Sequence, residues 1–454
     1  MVKVHEVQER PKRAFLVSIA DKEDAGSVAR ELAGLVNTLG LEIAAQETVT
    51  VRGRAPKFGM GTGKAQELAD KAVEIEADLF VFDWNPSPSQ QRNWETLSGI
   101  PAVDRQELII RIFADRAVTR EAELQVRLAE LNYSLPRLSH KYIDLSRQRG
   151  GRYGNKGAGE TRLETDRRQV EQRIHRLEQE LEEVRRQRMV RRSRRERQGI
   201  PLCALVGYTN AGKSSLMNAL TGANLLAEDK LFATLDAASR RYELRKGLTV
   251  LLVDTVGFIR RLPHTLIKAF HSTLEEASLA DILINVVDAS DPDAETFYET
   301  TIVVLNELGA GKVPMITVLN KIDRIPSPGT SAGVCFQQGS LDRGSPPEQP
   351  EALMRRYPGS IPVSALDRRG LEELTARMEE LLTGDGAGFA GGAGFAGVRR
   401  FRFPPDRTDL ASLLHRSAQV LSETYENDTI VVEARVDEKT GGQLREYVIV
   451  SNEK

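Results

Sequence analysis

Residues 207–214 read GYTNAGKS and fit the spacing G-x-x-x-x-G-K-[ST]. The apolar run Pro201–Val206 precedes them and SSLMNAL follows, so the segment reads as strand, loop and helix. That context gives the spacing its chemistry. Gly207 and Gly212 let the backbone wrap closely, so that its N–H groups face phosphate oxygens. The start of the following helix adds its positive end. Lys213 is placed to reach the β- and γ-phosphates of a nucleotide, and the Ser214 hydroxyl to ligate Mg²⁺. Tyr208, Thr209, Asn210, Ala211 and Ser215 complete the expected contact set of the loop.

Three further motifs follow in the order that a GTP site requires. DTVG at 254–257 ends the apolar run Thr249–Val253. There Asp254 is expected to hold Mg²⁺ through water and the Gly257 amide to meet the γ-phosphate. NKID at 320–323 ends a second apolar run. Asp323 can accept both the N1 and N2 hydrogens of guanine, whereas adenine would leave that carboxylate unpaired; Asn320 and Lys321 belong to the same motif. SAL at 364–366 (Ser364, Ala365, Leu366) follows IPV and offers an amide to the guanine O6. Between the first two motifs lies FATLD, 232–236, where Phe232 and Ala233 lead to Thr234, the switch residue expected on Mg²⁺. Ser214, Thr234 and Asp254 therefore form the expected metal set, and Lys213, Thr234, Gly257 and Asn210 the catalytic set. The residue after DTVG is Phe258, whose ring cannot orient or deprotonate water, so hydrolysis is expected to be slow without help from a partner. Asn210 suggests K⁺ as that help, the alternative being that it only shapes the loop.

Outward from this region the texture changes. Residues 1–102 alternate strand-like stretches (14–19, 48–52, 79–82) with helical ones (23–38, 62–77), which predicts a small nucleotide-binding-like α/β domain. Over 103–199, Leu124, Leu128, Leu131, Leu135 and Leu138 recur at 4-3-4-3 spacing, and Val170, Ile174, Leu177, Leu181 and Val184 repeat that rhythm. One apolar stripe on each of two segments predicts an antiparallel helical hairpin, with an intermolecular coiled coil as the alternative. The GTPase domain is expected over 200–384, interrupted by a Pro/Gly/Ser-rich loop at 325–350. A tandem GAGFAG linker occupies 385–398, and 399–454 is expected to hold a helix (409–424) and strands near 428–435 and 445–451. The predicted fold is α/β: a P-loop GTPase domain with an N-terminal α/β domain, a helical-hairpin (coiled-coil) arm and a small α+β C-terminal domain.

The chain has 454 residues with 63 basic and 65 acidic side chains, a formal charge of −2 that taken as a total argues against a nucleic-acid partner. The distribution says otherwise. Leu145–Ile200 holds 17 Lys or Arg against nine Asp or Glu, a net +8 that leaves −10 for the remainder. Residues 185–197 alone carry eight Arg and one Glu. Dense arginine with little aromatic content suits the backbone of structured RNA, the alternative being a solvated face paired to nearby glutamates. The Gly-rich loop 147–162, with Arg147, Arg149, Arg152 and Lys156, falls at the tip of the hairpin. Two cysteines, Cys203 and Cys335, form no disulfide framework and fit a reducing compartment. No apolar run reaches a membrane span, so the expectation is a cytoplasmic monomer, with peripheral membrane association left open.

Nearly the whole sequence resembles the HflX family of ribosome-associated GTPases. The likeness rests on GYTNAGKSSLMNAL, FATLD, DTVGFI and NKID, and outside them on KFGMGTGKAQEL (57–68), NPSPSQQRNWE (85–95), VDRQELIIRIFADRA (103–117), TREAELQVRLAELNYSLPRL (119–138) and GAGETRLETDRR (157–168). GGRYGNKGAGE and the tandem GAGFAG depart from the expected pattern. The resemblance implies a ribosome partner, chiefly the 50S subunit and its 23S rRNA, with the arm reaching the peptidyl-transferase region. It also implies that GTP binding splits stalled or idle ribosomes and hydrolysis releases the protein. Two other readings stay open: a nucleotide-driven rRNA remodeller or assembly factor, and a GTP-dependent scaffold that does not hydrolyse.

Overall fold

Strand β1 (Arg13–Ile19) buries Ala14 through Val17 completely, and it lies inside the first of the three sheets that the described residues form in the computed structural model of the chain. The structure describes residues 12–19, 25–51, 53–148, 156–197, 199–222, 231–235, 238–244, 248–260, 271–325, 350–383, 395–426 and 429–449. The expected 385–398 linker up to residue 394, the tip loop over 149–155, nearly all of the 325–350 insertion, Asp236 and Cys335 lie outside them.

The first sheet is parallel throughout, in the order β2 (Glu42–Val49), β1, β3 (Leu79–Phe82), β4 (Ala102–Asp104). A parallel sheet is covered on both faces, which is why β1 and β3 read as unbroken apolar runs. Phe15, Val17, Phe80 and Phe82 pack with Trp84 and Trp94 on one face. Ala14, Leu16, Leu79 and Val81 pack with Leu32 and Leu35 of α1 (Ala25–Thr38) on the other. Helices α2 (Thr62–Glu74) and α3 (Pro88–Ser98) complete the covering. The second strand thus spans 42–49 rather than 48–52: as a sheet edge it keeps the polar Glu42, Gln46 and Glu47, which obscured it in the sequence. The expected boundary after residue 102 falls inside β4, whose residues pair with β3.

Helix α4 (Arg105–Arg116) packs Leu108, Ile109, Ile112 and Phe113 into the same core. Helix α5 (Arg120–Gln148) has two apolar faces. Leu124 and Leu128 meet Leu181 of α6 (Lys156–Arg197), while Ala122, Val126, Ala129 and Tyr133 join the core beneath. Arg188 bonds Glu121 at 2.5 Å, while further along α5 Leu124 and Leu128 meet Leu181, earlier in α6, so the two helices run antiparallel. Leu131, Leu135 and Leu138 are only partly buried, so the seam is tight at the base alone.

The second sheet contains β5 (Leu202–Gly207), β6 (Ala238–Glu243), β7 (Thr249–Asp254), β8 (Ile282–Asp288), β9 (Met315–Asn320) and β10 (Ile361–Pro362). Its order is β10-β9-β8-β5-β7-β6, with only β6 antiparallel. Helices α7 (Lys213–Thr221), α8 (His271–Ser278), α9 (Ala294–Glu307), α10 (Pro350–Arg356) and α11 (Leu371–Thr383) accompany it. In such a sheet ligands bind beyond the carboxyl ends of the strands. The loops after β5, β7, β9 and β10 hold GYTNAGKS, DTVG, NKID and SAL. One continuous core joins the two sheets, running from Leu32 and Phe113 through Val126 to Tyr208, Phe232, Phe258 and Ile259.

The third sheet, β11 (Phe395–Phe403), β13 (Thr429–Asp437) and β12 (Gln419–Glu426), is antiparallel and carries α12 (Thr408–Ser417) and α13 (Glu438–Gln443). Here the structure corrects the sequence reading. The helix stops at Ser417 and its expected second half is β12; 445–447 form a 3-10 turn, and among the described residues of the expected last strand Val448 alone bridges to Phe401. Cross-strand pairing with β13 outweighs the weak helical spacing of QVLSETYE. The end of the expected linker is strand, since β11 begins at Phe395.

Candidate functional site

The loop after β5 holds its shape through residues that tolerate unusual backbone. Gly207 and Gly212 have φ of 139° and 94°, and Asn210 has φ of 60°. A β-carbon on Gly207 would lie 2.2 Å from the Val286 carbonyl oxygen, and one on Gly212 would lie 2.3 Å from Asn320 Nδ2, so both backbone approaches require glycine. Beyond the loop opens a cleft of about 230 Å³, lined by Thr209, Asn210, Gly212, Lys213, Ser214, Ser215, Phe232, Ala233, Thr234, Gly257 and Lys321 among the expected residues. Thr255 and Arg324 also line it. They were missed, although each adjoins a residue of DTVG or NKID.

Lys213 is buried, and its Nζ donates to the carbonyls of Gly207 (3.2 Å) and Tyr208 (2.9 Å). Burial pushes its ammonium down to about 8, against the pull of Asp254. Ser214 Oγ lies 2.8 Å from Thr234 Oγ1 and donates to Asp254 Oδ2 at 2.6 Å; Thr234 Oγ1 donates to the same oxygen at 3.1 Å. Burial raises the Asp254 carboxyl above the usual carboxylate range, while Lys213 and the two hydroxyls hold it down. Its Oδ1 is buried and has no hydrogen-bond partner among the described residues. Three hard oxygen donors meeting beside an unpaired carboxylate oxygen suit a small divalent cation that keeps several waters. The three residues of the expected metal set thus touch one another.

A second wall is formed by the β9 and β10 loops. Asn320 is buried; its Nδ2 donates to the Ala211 carbonyl (2.9 Å), and its Oδ1 accepts from the Ala365 N–H (3.2 Å). Asp323 Oδ1 accepts from Ser364 Oγ at 2.6 Å. Lys321 reaches the Asn210 carbonyl at 2.7 Å and Asp288 at 2.8 Å. Two expected residues stand apart. Leu366 is 82% exposed, and Tyr208 turns its side chain away from the cleft to Glu31. Phe258 is 2% exposed within the shared core.

Comparison with known proteins gives this geometry a family. Three family models match in sequence: GTP-binding GTPase N-terminal over residues 27–114, GTP-binding GTPase Middle Region over 116–195, and 50S ribosome-binding GTPase over 202–321. A GTPase HflX from Akkermansia muciniphila is 44% identical over 448 residues, covering 96% of each chain. The chain belongs to the HflX family. A second HflX GTPase, from Lacrimispora saccharolytica, is 39% identical and covers 100% of both chains. A GTP-binding protein from Sulfolobus solfataricus, solved with GDP, is 26% identical and covers 82% of this chain and 98% of its own, with a TM-score of 0.41. As an HflX GTPase, the protein hydrolyses GTP to GDP and phosphate. No helix among the described residues is long and apolar enough to cross a membrane.

Proposed function

We propose that this protein binds the large ribosomal subunit in its GTP form, separates it from the small subunit, and leaves after hydrolysis. The observation that carries the ribosome partner is α6. From Glu164 to Val190 of this 42-residue helix, Leu181 is the single buried residue. A helix with so little of its own core is stabilised by one neighbour and leaves its charged faces for a partner. Those faces include Arg167, Arg185 and Arg186, with 60%, 41% and 67% of their side chains exposed. Each also sits near a glutamate on the same helix (3.0–3.7 Å), and exposed pairs of this kind are weak enough to exchange for phosphate.

At the cleft, the loop amides and Lys213 would receive the phosphates, and Asn320, Asp323 and Ala365 would frame guanine. Mg²⁺ fits the Ser214–Thr234–Asp254 oxygens, and when bound there it neutralises phosphate charge. Thr234 joins one switch segment to that set, and Gly257 offers its amide from the other. Phe258 supplies no group that could orient water, so the rate is slow alone and rises on the ribosome. Asn210 at the rim would take K⁺; equal hydrolysis rates in Na⁺ and K⁺ would remove that role.

Sedimentation tests the main reading. With a non-hydrolysable GTP analogue, 70S particles should fall to separate subunits, with the protein travelling on the 50S peak. Unchanged 70S peaks and no protein at 50S would overturn it.

A further inference from the structure

Behind the phosphate loop, between the end of β8 and α9, lies a second cavity of about 40 Å³. Tyr208, Thr209, Asp288, Asp291, Phe297 and Thr301 are among its lining residues, and the stacked rings of Tyr208 and Phe297 have centroids 3.9 Å apart. About 10–15 Å³ of such space admits one water, so the cavity has room for an ion and about one or two waters. Thr209 lines both this cavity and the nucleotide cleft. Its methyl carbon stands 3.0 Å from where a β-carbon on Gly257 would be, so the methyl faces the cleft and the hydroxyl turns the other way. That hydroxyl oxygen is buried, in a residue 6% exposed, and has no hydrogen-bond partner among the described residues. Strand β8 repeats the observation. Leu283 shares a core with Val304 and Leu305 of α9, and Val287 shares another with Ala294, so Asn285 between them lies on the face that α9 covers. Asn285 is fully buried, and neither atom of its amide is hydrogen-bonded among the described residues. Buried polar groups in native proteins are paired, and orphans gathered beside a polar cavity point to something that fills it.

The charge at the cavity narrows what that is. Asp288, Asp291 and Asp293 stand close together in the sequence, and two of them have counter-charges. Asp288 accepts the Ser290 N–H (3.0 Å) and Oγ (2.6 Å) on Oδ1 and pairs with Lys321 through Oδ2 at 2.8 Å. Asp293 pairs with Arg30 at 2.7 Å. Asp291 accepts the Asp293 N–H on Oδ1 at 2.9 Å, while its Oδ2 makes neither a hydrogen bond nor an ion pair among the described residues. Three carboxylates thus meet two cations, and the surplus negative charge rests on a residue that lines the cavity. Burial, joined by the charges of Asp288 and Asp293, holds the Asp291 carboxyl above the usual carboxylate range, against the Asp293 amide and Arg30. Its ionised form gains from a cation placed beside it.

We propose that this cavity binds a single alkali cation, held by the Asp291 carboxylate and the Thr209 hydroxyl, with water and the Asn285 amide available to complete its shell. Hard oxygen donors select a hard cation, and one surplus carboxylate matches a single positive charge. Bound there, the ion ties the segment that opens α9 to the phosphate loop from behind. It takes no ligand from a nucleotide, whereas a K⁺ ion at the rim of the cleft would share its shell with phosphate oxygens. The site is therefore independent of how the cleft is used.

Thermal unfolding of the full chain without nucleotide tests this, in choline chloride, sodium chloride and potassium chloride at one ionic strength. Choline is too large to enter the cavity. Asp291→Asn removes the charge and keeps the oxygen that accepts the Asp293 N–H; Asp115→Asn makes the same charge change at an exposed position. With the better-bound alkali ion about tenfold above its Kd, the transition of the parent and of Asp115→Asn should rise by about 3–5 °C over choline. The transition of Asp291→Asn should be the same in all three salts. Sodium NMR relaxation reads binding directly: the parent should broaden the sodium signal, added potassium chloride should compete, and Asp291→Asn should broaden it less. Equal transitions of the parent in the three salts, with no competition in the sodium signal, mean that the cavity holds water alone and overturn the proposal, whether or not the variant folds. A response as large in folded Asp291→Asn as in the parent places the ion elsewhere and overturns it too.

Discussion

Replacing Asn320 with alanine tests the second wall of the cleft most directly. The side chain is 1% exposed and ties two loops together, donating to the Ala211 carbonyl at 2.9 Å and accepting from the Ala365 N–H at 3.2 Å. Alanine leaves both backbone groups without that partner. An orphaned buried polar group costs about 1–3 kcal/mol. Ala365 is half-buried and can regain water, so it belongs at the low end; the Ala211 carbonyl, enclosed by the loop, belongs higher. Together they give about 2–4 kcal/mol. In the free protein the two loops can relax and water can enter the vacated space. A bound nucleotide excludes that water and needs both loops where they now are, so most of the loss appears as affinity. At about 1.4 kcal/mol per decade, the expected weakening for GDP is on the order of 30- to 700-fold. Titration with fluorescent GDP, beside a melting curve that confirms folding, measures it. GDP affinity within threefold of the parent in a folded Asn320→Ala protein would show that these two hydrogen bonds do not hold the site.

Three other outcomes follow from the same geometry. Lys213 is lowered to about 8 when the cleft holds no anion, and phosphates would raise it again; GDP affinity should be flat below pH 8 and fall by up to about tenfold per pH unit above it, and a flat profile to pH 9.5 would contradict this. By itself this ammonium makes stability rise with pH between about 8 and its unfolded value, because the unfolded chain then binds more protons. Phe258→Gln should not speed hydrolysis, because position 258 points into the core; the buried amide should instead lower stability by about 2–4 kcal/mol, seen in a denaturant titration, and a tenfold faster single-turnover rate would refute that placement. Leu366→Ser should leave GDP affinity within twofold, since 82% of the residue faces solvent, although it sits inside the SAL motif.

The elements around the cleft were legible because the chemistry expected of them fixes residue type and spacing together. Glycine at 212, lysine at 213 and hydroxyls at 214 and 234 can be read from the chain alone, and the structure brings them into one cleft. The apolar strands Arg13–Ile19 and Leu79–Phe82 were legible for a related reason: buried parallel strands carry no competing polar pattern. What failed to show was anything decided across the fold. Glu31, Asp83 and Arg105 make a buried charge cluster from three separate elements, and no local motif announces it. Ala122, Val126 and Ala129 form a second apolar face on α5 that the more regular leucines hid. Gln419–Glu426 looks helical until Val432 and Ala434 are placed beside it.

That second face on α5 has a mechanical consequence. The base of the helix is packed into the core that also contains Tyr208, Phe232 and Phe258, while its far end extends past the last of those contacts. Twenty-nine residues at about 1.5 Å each make a rod of about 43 Å. A tilt of about 5° at the base, caused by sub-ångström repacking around Phe232 or Phe258, would sweep the far end through about 4 Å. Any repacking at the base of the arm would therefore appear, magnified, at its far end.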